Sequence, residues 1–193
     1  MMTTNESTIT MEEIRSETCH PTTDLSGSWS LVISPEFKHE YDLYLKAFHQ
    51  PAFFRAVALH PNVLSMTKET LIQTKNGKEL IIKGTNPRGV WERRLCSKVS
   101  SVSSDNNTAI LKIRNAGGAI VEAESWWDSK GKCHLSWVRK AKEGDFFSKR
   151  YINDEGYYVC ESSFFCKLKD GSVVEQPTAQ MTWTFQRNEM NSY

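Results

Sequence analysis

Few residues of this chain have the type and spacing to do chemistry. The five histidines, His20, His39, His49, His60 and His134, include no pair with metal-ligand spacing on one strand or helix. His134 alternates with Ser136 and stands opposite Leu135 and Trp137, a pattern that predicts an outward ring. Five cysteines, Cys19, Cys96, Cys133, Cys160 and Cys166, form no Cys-x-x-Cys and leave one without a partner. They fit neither a zinc site nor a disulfide framework. Glu122 and Glu124 are spaced like paired carboxylates. Alternation with Val121 and Ala123 puts them on a solvated outer face. No Gly-x-Ser-x-Gly, phosphate-binding loop or dinucleotide fingerprint occurs. Trp91, Arg93, Arg94 and Lys98 could stack on a nucleic-acid base. A formal net charge of +1 argues instead for ordinary strand surface. Arg139 is the cation that stands out, because it shares a face with Leu135 and Trp137, and a charge on an apolar face needs a reason.

The elements that must position these residues are mostly strands. Residues 1–23 are rich in Thr, Ser and Glu and are expected to form a flexible tail, dispensable to the fold. Order is expected from Asp24, and Trp29, Leu31 and Ile33 carry the two-residue period of a half-buried strand. Pro35 then opens a stretch with Phe37, Tyr41, Tyr44, Leu45 and Phe48 at three- and four-residue steps. Gln50-Pro51 interrupts it, and Phe53, Phe54, Val57 and Ala58 resume the period until Pro61. Two short helices joined tightly are predicted. Asn76-Gly77 between two apolar runs marks a hairpin. Further turns are expected at Gly117-Gly118, Gly131, Gly144, Gly156 and Gly171.

About ten strands in one neutral domain must manage their edges, and closing the sheet removes them. The expected fold is therefore all-β: a closed antiparallel up-and-down barrel with a helix-turn-helix lid after the first strand, over residues 24–188. Such a barrel can hold one small molecule.

Leu25-Ser26-Gly27-Ser28-Trp29-Ser30-Leu31-Val32, the helix pair directly after it, Phe53-Phe54-Arg55-Ala56-Val57-Ala58 and Trp127-Asp128 resemble the intracellular fatty-acid-binding proteins. These belong to the calycin group with the lipocalins, and the resemblance covers roughly residues 24–187. It implies an internal arginine that holds a ligand carboxylate, a position Arg139 matches. A guanidinium suits this because its fork pairs two carboxylate oxygens and stays charged when dehydrated. It also implies an Arg-x-Tyr on the last strand, which is missing here. If the last strand is Thr178–Arg187, Trp183 and Phe185 take those places; if it is Tyr157–Leu168, Ser162 and Phe164 do. A neutral or aromatic ligand gains weight accordingly. The resemblance also implies that Arg187 packs over Trp29 as a structural cation–π contact.

The expected function is reversible, non-covalent binding or transport of a small hydrophobic ligand (fatty acid, pigment, retinoid or similar lipid). The alternative is an isomerase, cyclase or lyase acting on a lipid or pigment in the same cavity. Leu31, Phe53, Val57, Leu111, Trp137, Arg139, Trp183 and Phe185 are the expected ligand-binding residues, and Trp29 is expected beside them. No catalytic residue, metal or cofactor is expected. The protein is expected to be a cytoplasmic monomer, without a nucleic-acid partner or stable membrane insertion.

Overall fold

The computed structural model describes residues 20–74, 77–86, 89–97, 111–114 and 120–188. Chain order is β1 (Gly27–Leu31), α1 (Pro35–Ala47), α2 (Ala52–Ala58), α3 (Pro61–Leu64), β2 (Lys68–Thr74), β3 (Glu79–Asn86), β4 (Gly89–Cys96), β5 (Leu111–Arg114), β6 (Ile120–Trp127), β7 (His134–Arg139), β8 (Gly144–Ile152), β9 (Tyr158–Cys166) and β10 (Ala179–Arg187). The strands form one antiparallel sheet in the order β4-β3-β2-β1-β10-β9-β8-β7-β6-β5. This is the expected barrel with a helical lid.

Closure is nearly complete. β1 joins β10 through pairs such as Trp29 with Arg187 and Leu31 with Phe185. On the opposite side β4 lies against β5 and β6, where among the described residues there is no ladder and one bridge, Ser97 to Ser125. The last strand is β10, which settles the choice left open for the C-terminal register.

Local chemistry explains the lid. The Ser34 side chain accepts a hydrogen bond from the Phe37 N–H, and Pro35 fills the first helical position, where a missing N–H costs nothing. Pro61 does not end the helical region as expected. It starts the short α3, whose leading His60 accepts from the Asn62 N–H through Nδ1. Tyr41 and Phe37 of α1 meet Trp183 of β10 edge-on, with ring centroids 5.1 and 5.4 Å apart.

The packed core joins Leu25 and Trp29 in one cluster with Phe37, Tyr44 and Leu64 of the helices. Trp29 is fully buried there, beside Tyr158 at 5.6 Å, and donates its indole N–H to the Leu25 carbonyl at 3.3 Å. Arg187 caps its ring at 4.6 Å, the expected cation–π contact. Residues 20–23, expected to belong to a free tail, are held in place: the Thr22 N–H donates to the Gly131 carbonyl at 2.8 Å. Residues 1–19 and the Gly117-Gly118 turn lie outside the described residues.

Candidate functional site

Beneath the lid, the inner face of the barrel borders a cavity of about 630 Å³. That is the size of a site for a small organic ligand. Its upper wall is aromatic, built from Tyr44 of α1, Phe48 just after it, Phe54 of α2, Phe146 of β8 and Trp183 and Phe185 of β10. Phe48 stacks on Phe164 at 4.2 Å and on Phe146 at 5.6 Å, which ties the lid to the barrel. Trp91 of β4 adds an inward ring. It lies so close to Gly84 of β3 that a Cβ there would sit 2.1 Å from the indole. Glycine at this position is what lets the ring lie flat along the wall.

The floor of the cavity is polar. A cross-strand ladder runs Trp183, Cys160, Arg150, His134, Trp127 across β10 to β6, and these side chains share the inner face. Arg150 is 4% exposed and donates from Nη1 to Ser136 Oγ at 2.8 Å. Arg93 of β4 and Glu69 of β2 reach the same floor, and the surface they retain faces the cavity. No salt bridge among the described residues joins either arginine to a carboxylate. The Arg93 Nε is buried without a hydrogen-bond partner.

The electrostatics follow from this crowding. Burial pushes the Glu69 carboxyl above its ordinary range, against the pull of Arg150 and Arg93. Burial and repulsion from Arg150 lower the Arg93 pKa, whereas Cys160, Tyr158 and Glu69 hold Arg150 above its usual value despite burial. Both guanidiniums remain charged at neutral pH. The Tyr158 phenol is pushed well up by burial and by Glu69. His134 is fully buried, its Nε2 3.1 Å from Ser97 Oγ, and burial beside Arg150 drives it well below 6.5. With Glu69 ionised, the floor carries two positive charges against one negative.

Only some of the expected site residues come together here. Val57, Trp183 and Phe185 line the cavity. Trp29 and Leu31 are buried in the core. Phe53 points into solvent, 82% exposed, and its neighbour Phe54 takes the inward place. Leu111 lies on β5, and its side chain is outside the described residues.

Strand β7 has the opposite phase to that expected. His134, Ser136 and Val138 face in, whereas Leu135, Trp137 and Arg139 face out. Arg139 stacks over Trp137 at 4.9 Å and pairs with Glu124 at 3.1 Å and Asp145 at 3.8 Å on the outer wall. The apolar face that made it stand out is an external aromatic patch. Trp91 and Arg93, expected on the strand surface, turn inward, and Arg94 alone of the described members of that cluster faces solvent. Glu122 and Glu124 do lie on the outer face, paired with Lys140 and Arg139. Arg150 was not legible in the sequence, because both faces of β8 are half apolar and alternation there is silent; Glu69, on β2, shares its face with the apolar Leu71 but also with the polar Gln73.

No protein-family model matches the sequence, and a search of curated proteins finds no match. Solved structures do match its fold. A structure described as a REP1-NXSQ fatty acid transporter superposes with a TM-score of 0.56 at 16% identity, over 86% of this chain and 98% of that one. At that identity the likeness speaks for the fold: a ligand-sized β-barrel with a helical lid.

Proposed function

We propose that this protein binds and carries a small hydrophobic ligand with one acidic end, such as a fatty acid. The observation that carries the reading is the pair of inward guanidiniums, Arg93 and Arg150, beneath an aromatic-walled cavity. A buried cation is costly unless something answers it, and Glu69 answers only one of two. A ligand carboxylate on the floor would supply the second negative charge and an acceptor for the Arg93 Nε. The alkyl or ring portion would lie against Phe48, Phe54 and Trp183.

The matched structure's description as a fatty acid transporter agrees with this reading, as does the resemblance to intracellular fatty-acid-binding proteins. In that light Arg150, not Arg139, takes the role of the internal arginine, and the missing Arg-x-Tyr is offset by Arg93. The described cysteines are free thiols, which suits a cytoplasmic carrier. We place the protein there as a monomer, without a nucleic-acid partner.

Titration of a fluorescent fatty acid and its alcohol analogue against wild type and Arg150→Gln tests the reading. The acid should lose about 2–5 kcal/mol of binding free energy in the variant, and the alcohol much less. Equal losses for both forms, or no binding of either by wild type, would overturn it.

A second reading, an enzyme acting on the bound molecule, is favoured by one feature: Glu69 is an enclosed carboxyl with a raised pKa. Mass spectrometry of the ligand recovered after incubation decides between carriage and turnover.

A further inference from the structure

One level of the inner face is a row of hydroxyls. Ser125 of β6 pairs with Ser136 of β7, Ser136 with Ser148 of β8, and Ser148 with Ser162 of β9. Ser97 extends the row across the seam through its bridge to Ser125, and Met181 of β10 ends it on the other side. Register partners point to the same side of a sheet, and Ser148 and Ser162 line the cavity. Two residues away along β8 and β9 the chemistry changes. Phe146 and Phe164 form the tier on one side of the row, Arg150 and Cys160 the tier on the other. The row therefore lies between the aromatic wall and the arginine.

Hydroxyls paired in this way across strands ordinarily bond to one another. Here they do not. Ser136 Oγ accepts from Arg150 Nη1 at 2.8 Å, and Ser97 Oγ lies 3.1 Å from His134 Nε2. The Ser125 Oγ, on a residue only 2% exposed, has no partner among the described residues. Ser162 Oγ has only the Cys160 thiol, at 3.8 Å, and no described residue bonds to the half-buried Ser148 hydroxyl. Arg93 brings a buried Nε without a partner to the same cavity. A purely apolar chain would displace water from these groups and offer them no hydrogen bond in its place.

Arg150 stands level with His134 in the register, yet its Nη1 reaches Ser136, so the guanidinium leans toward the row. An acid held by that guanidinium lies within one or two strand spacings, ~5–10 Å, of the Ser148 and Ser162 hydroxyls. A chain leaving the acid covers that distance in a few carbons. We propose that the ligand is an oxygenated lipid acid, with a hydroxyl or keto oxygen near its acidic end received by Ser148 and Ser162. The acid itself meets Arg150 and Arg93, and the apolar remainder lies against the aromatic wall. This rests on the acid-binding reading above and narrows its ligand class. A serine hydroxyl both donates and accepts, so it suits either kind of oxygen. A site built to bond an oxygen rejects the analogue that lacks it, because its own polar groups are then left unpaired.

Displacement of a fluorescent fatty acid by palmitic acid, its β-hydroxy form and its ω-hydroxy form tests this. Wild type should bind the β-hydroxy acid roughly tenfold more tightly than palmitic acid. The ω-hydroxyl, carried to the aromatic wall, should weaken binding instead. Ser148→Ala/Ser162→Ala should abolish the β-hydroxy preference and leave affinity for palmitic acid unchanged or improved. Should that variant not fold, the wild-type ranking of the three acids decides alone. Equal affinity of wild type for palmitic acid and its β-hydroxy form overturns this inference and leaves the carrier reading standing. So does a β-hydroxy preference that survives in the serine variant. Failure of wild type to bind the fluorescent acid or any of its competitors overturns both.

Discussion

The two faces of β7 and β8 are built on opposite principles. The inner face carries Ser136, His134 and Arg150, all buried, and the half-buried Ser148, a charged and hydroxylic surface that borders the cavity. The outer face carries Leu135, Trp137 and Phe147, an apolar surface on the side of the barrel that normally meets solvent. In a filled barrel such an inversion would be ruinous, because the buried polar groups would have nothing to pair with. Around a cavity it is affordable, since the inner face does not have to be the core. Trp29 packs in one cluster with Phe37, Tyr44 and Leu64, while Ser148, Arg150 and Ser162 line the cavity.

That division makes the packed core the place where a single change should do most damage. Trp29→Ala removes a fully buried ring that touches Tyr158 and supports the Arg187 contact. We expect a loss of about 3–5 kcal/mol in chemical denaturation, a large part of a domain's stability. A folded variant of near wild-type stability with an altered ligand preference would mean that Trp29 belongs to the cavity, not the core.

A smaller effect is expected where the cavity wall meets the sheet. Gly84→Ala puts a methyl group into the space of the Trp91 indole and must push that ring into the cavity. Overpacking of this kind costs about 1–3 kcal/mol. Here it should show in ligand affinity more than in stability, because the ring has open space to move into. Calorimetric titration alongside thermal melting separates the two, and a loss confined to stability would place Trp91 in packing alone.

The buried ionisable groups of the inner face should leave opposite marks on the pH dependence of stability. The folded state raises the Glu69 pKa, so its contribution is complete below the unfolded value of about 4.3 and is lost as pH rises through the folded value. Glu69→Gln should therefore gain in melting temperature relative to wild type as pH rises above about 4.3. His134 is held well below 6.5, so its contribution is present above that value and is lost as pH falls toward the folded pKa. His134→Gln should flatten the acid side of the wild-type profile below about pH 6.5. Parallel profiles for both variants and wild type would show that neither group is shifted by the fold.

Much of the architecture was legible because turns and lids are written locally. Gly77, Gly131, Gly156 and Gly171 all take positive φ, as their turns require, and Ser34-Pro35 starts a helix for reasons contained in two residues. The contact between Trp29 and Arg187, like the inward direction of Trp183 and Phe185, followed from the resemblance. What was not legible was the phase of β7 and the inward turn of Arg93. Hydrophobic alternation identifies the two faces of a strand but does not say which is inside. The usual rule, apolar face inward, presumes that the inside is dry and full. Leu135, Trp137 and Arg139 obey the alternation and break the presumption. The one sequence signal that could have helped is the polar set on the other face, since His134 and Ser136 stand level with Arg150 and Ser148 across the sheet.

The smallest effect is expected at Arg139, and it sharpens the contrast between the faces most directly. Its side chain is 37% exposed, and its partners Glu124 and Asp145 lie with it on the outer wall. Exposed ion pairs contribute about 0–1 kcal/mol after screening and side-chain entropy, and the stacking on Trp137 adds about 0.5–1 kcal/mol. Arg139→Ala should therefore cost roughly 1 kcal/mol of stability. Its effect on binding should be nil for the acid and the alcohol form of a ligand alike, because no part of it reaches the cavity. The inner-face arginine behaves differently, with a loss confined to the acid. Measuring both ligand forms against both variants gives four affinities whose pattern separates the faces. If Arg139→Ala weakened the acid selectively, the outer face would have to communicate with the cavity floor through β7 itself, and the division of labour between the two faces would fail.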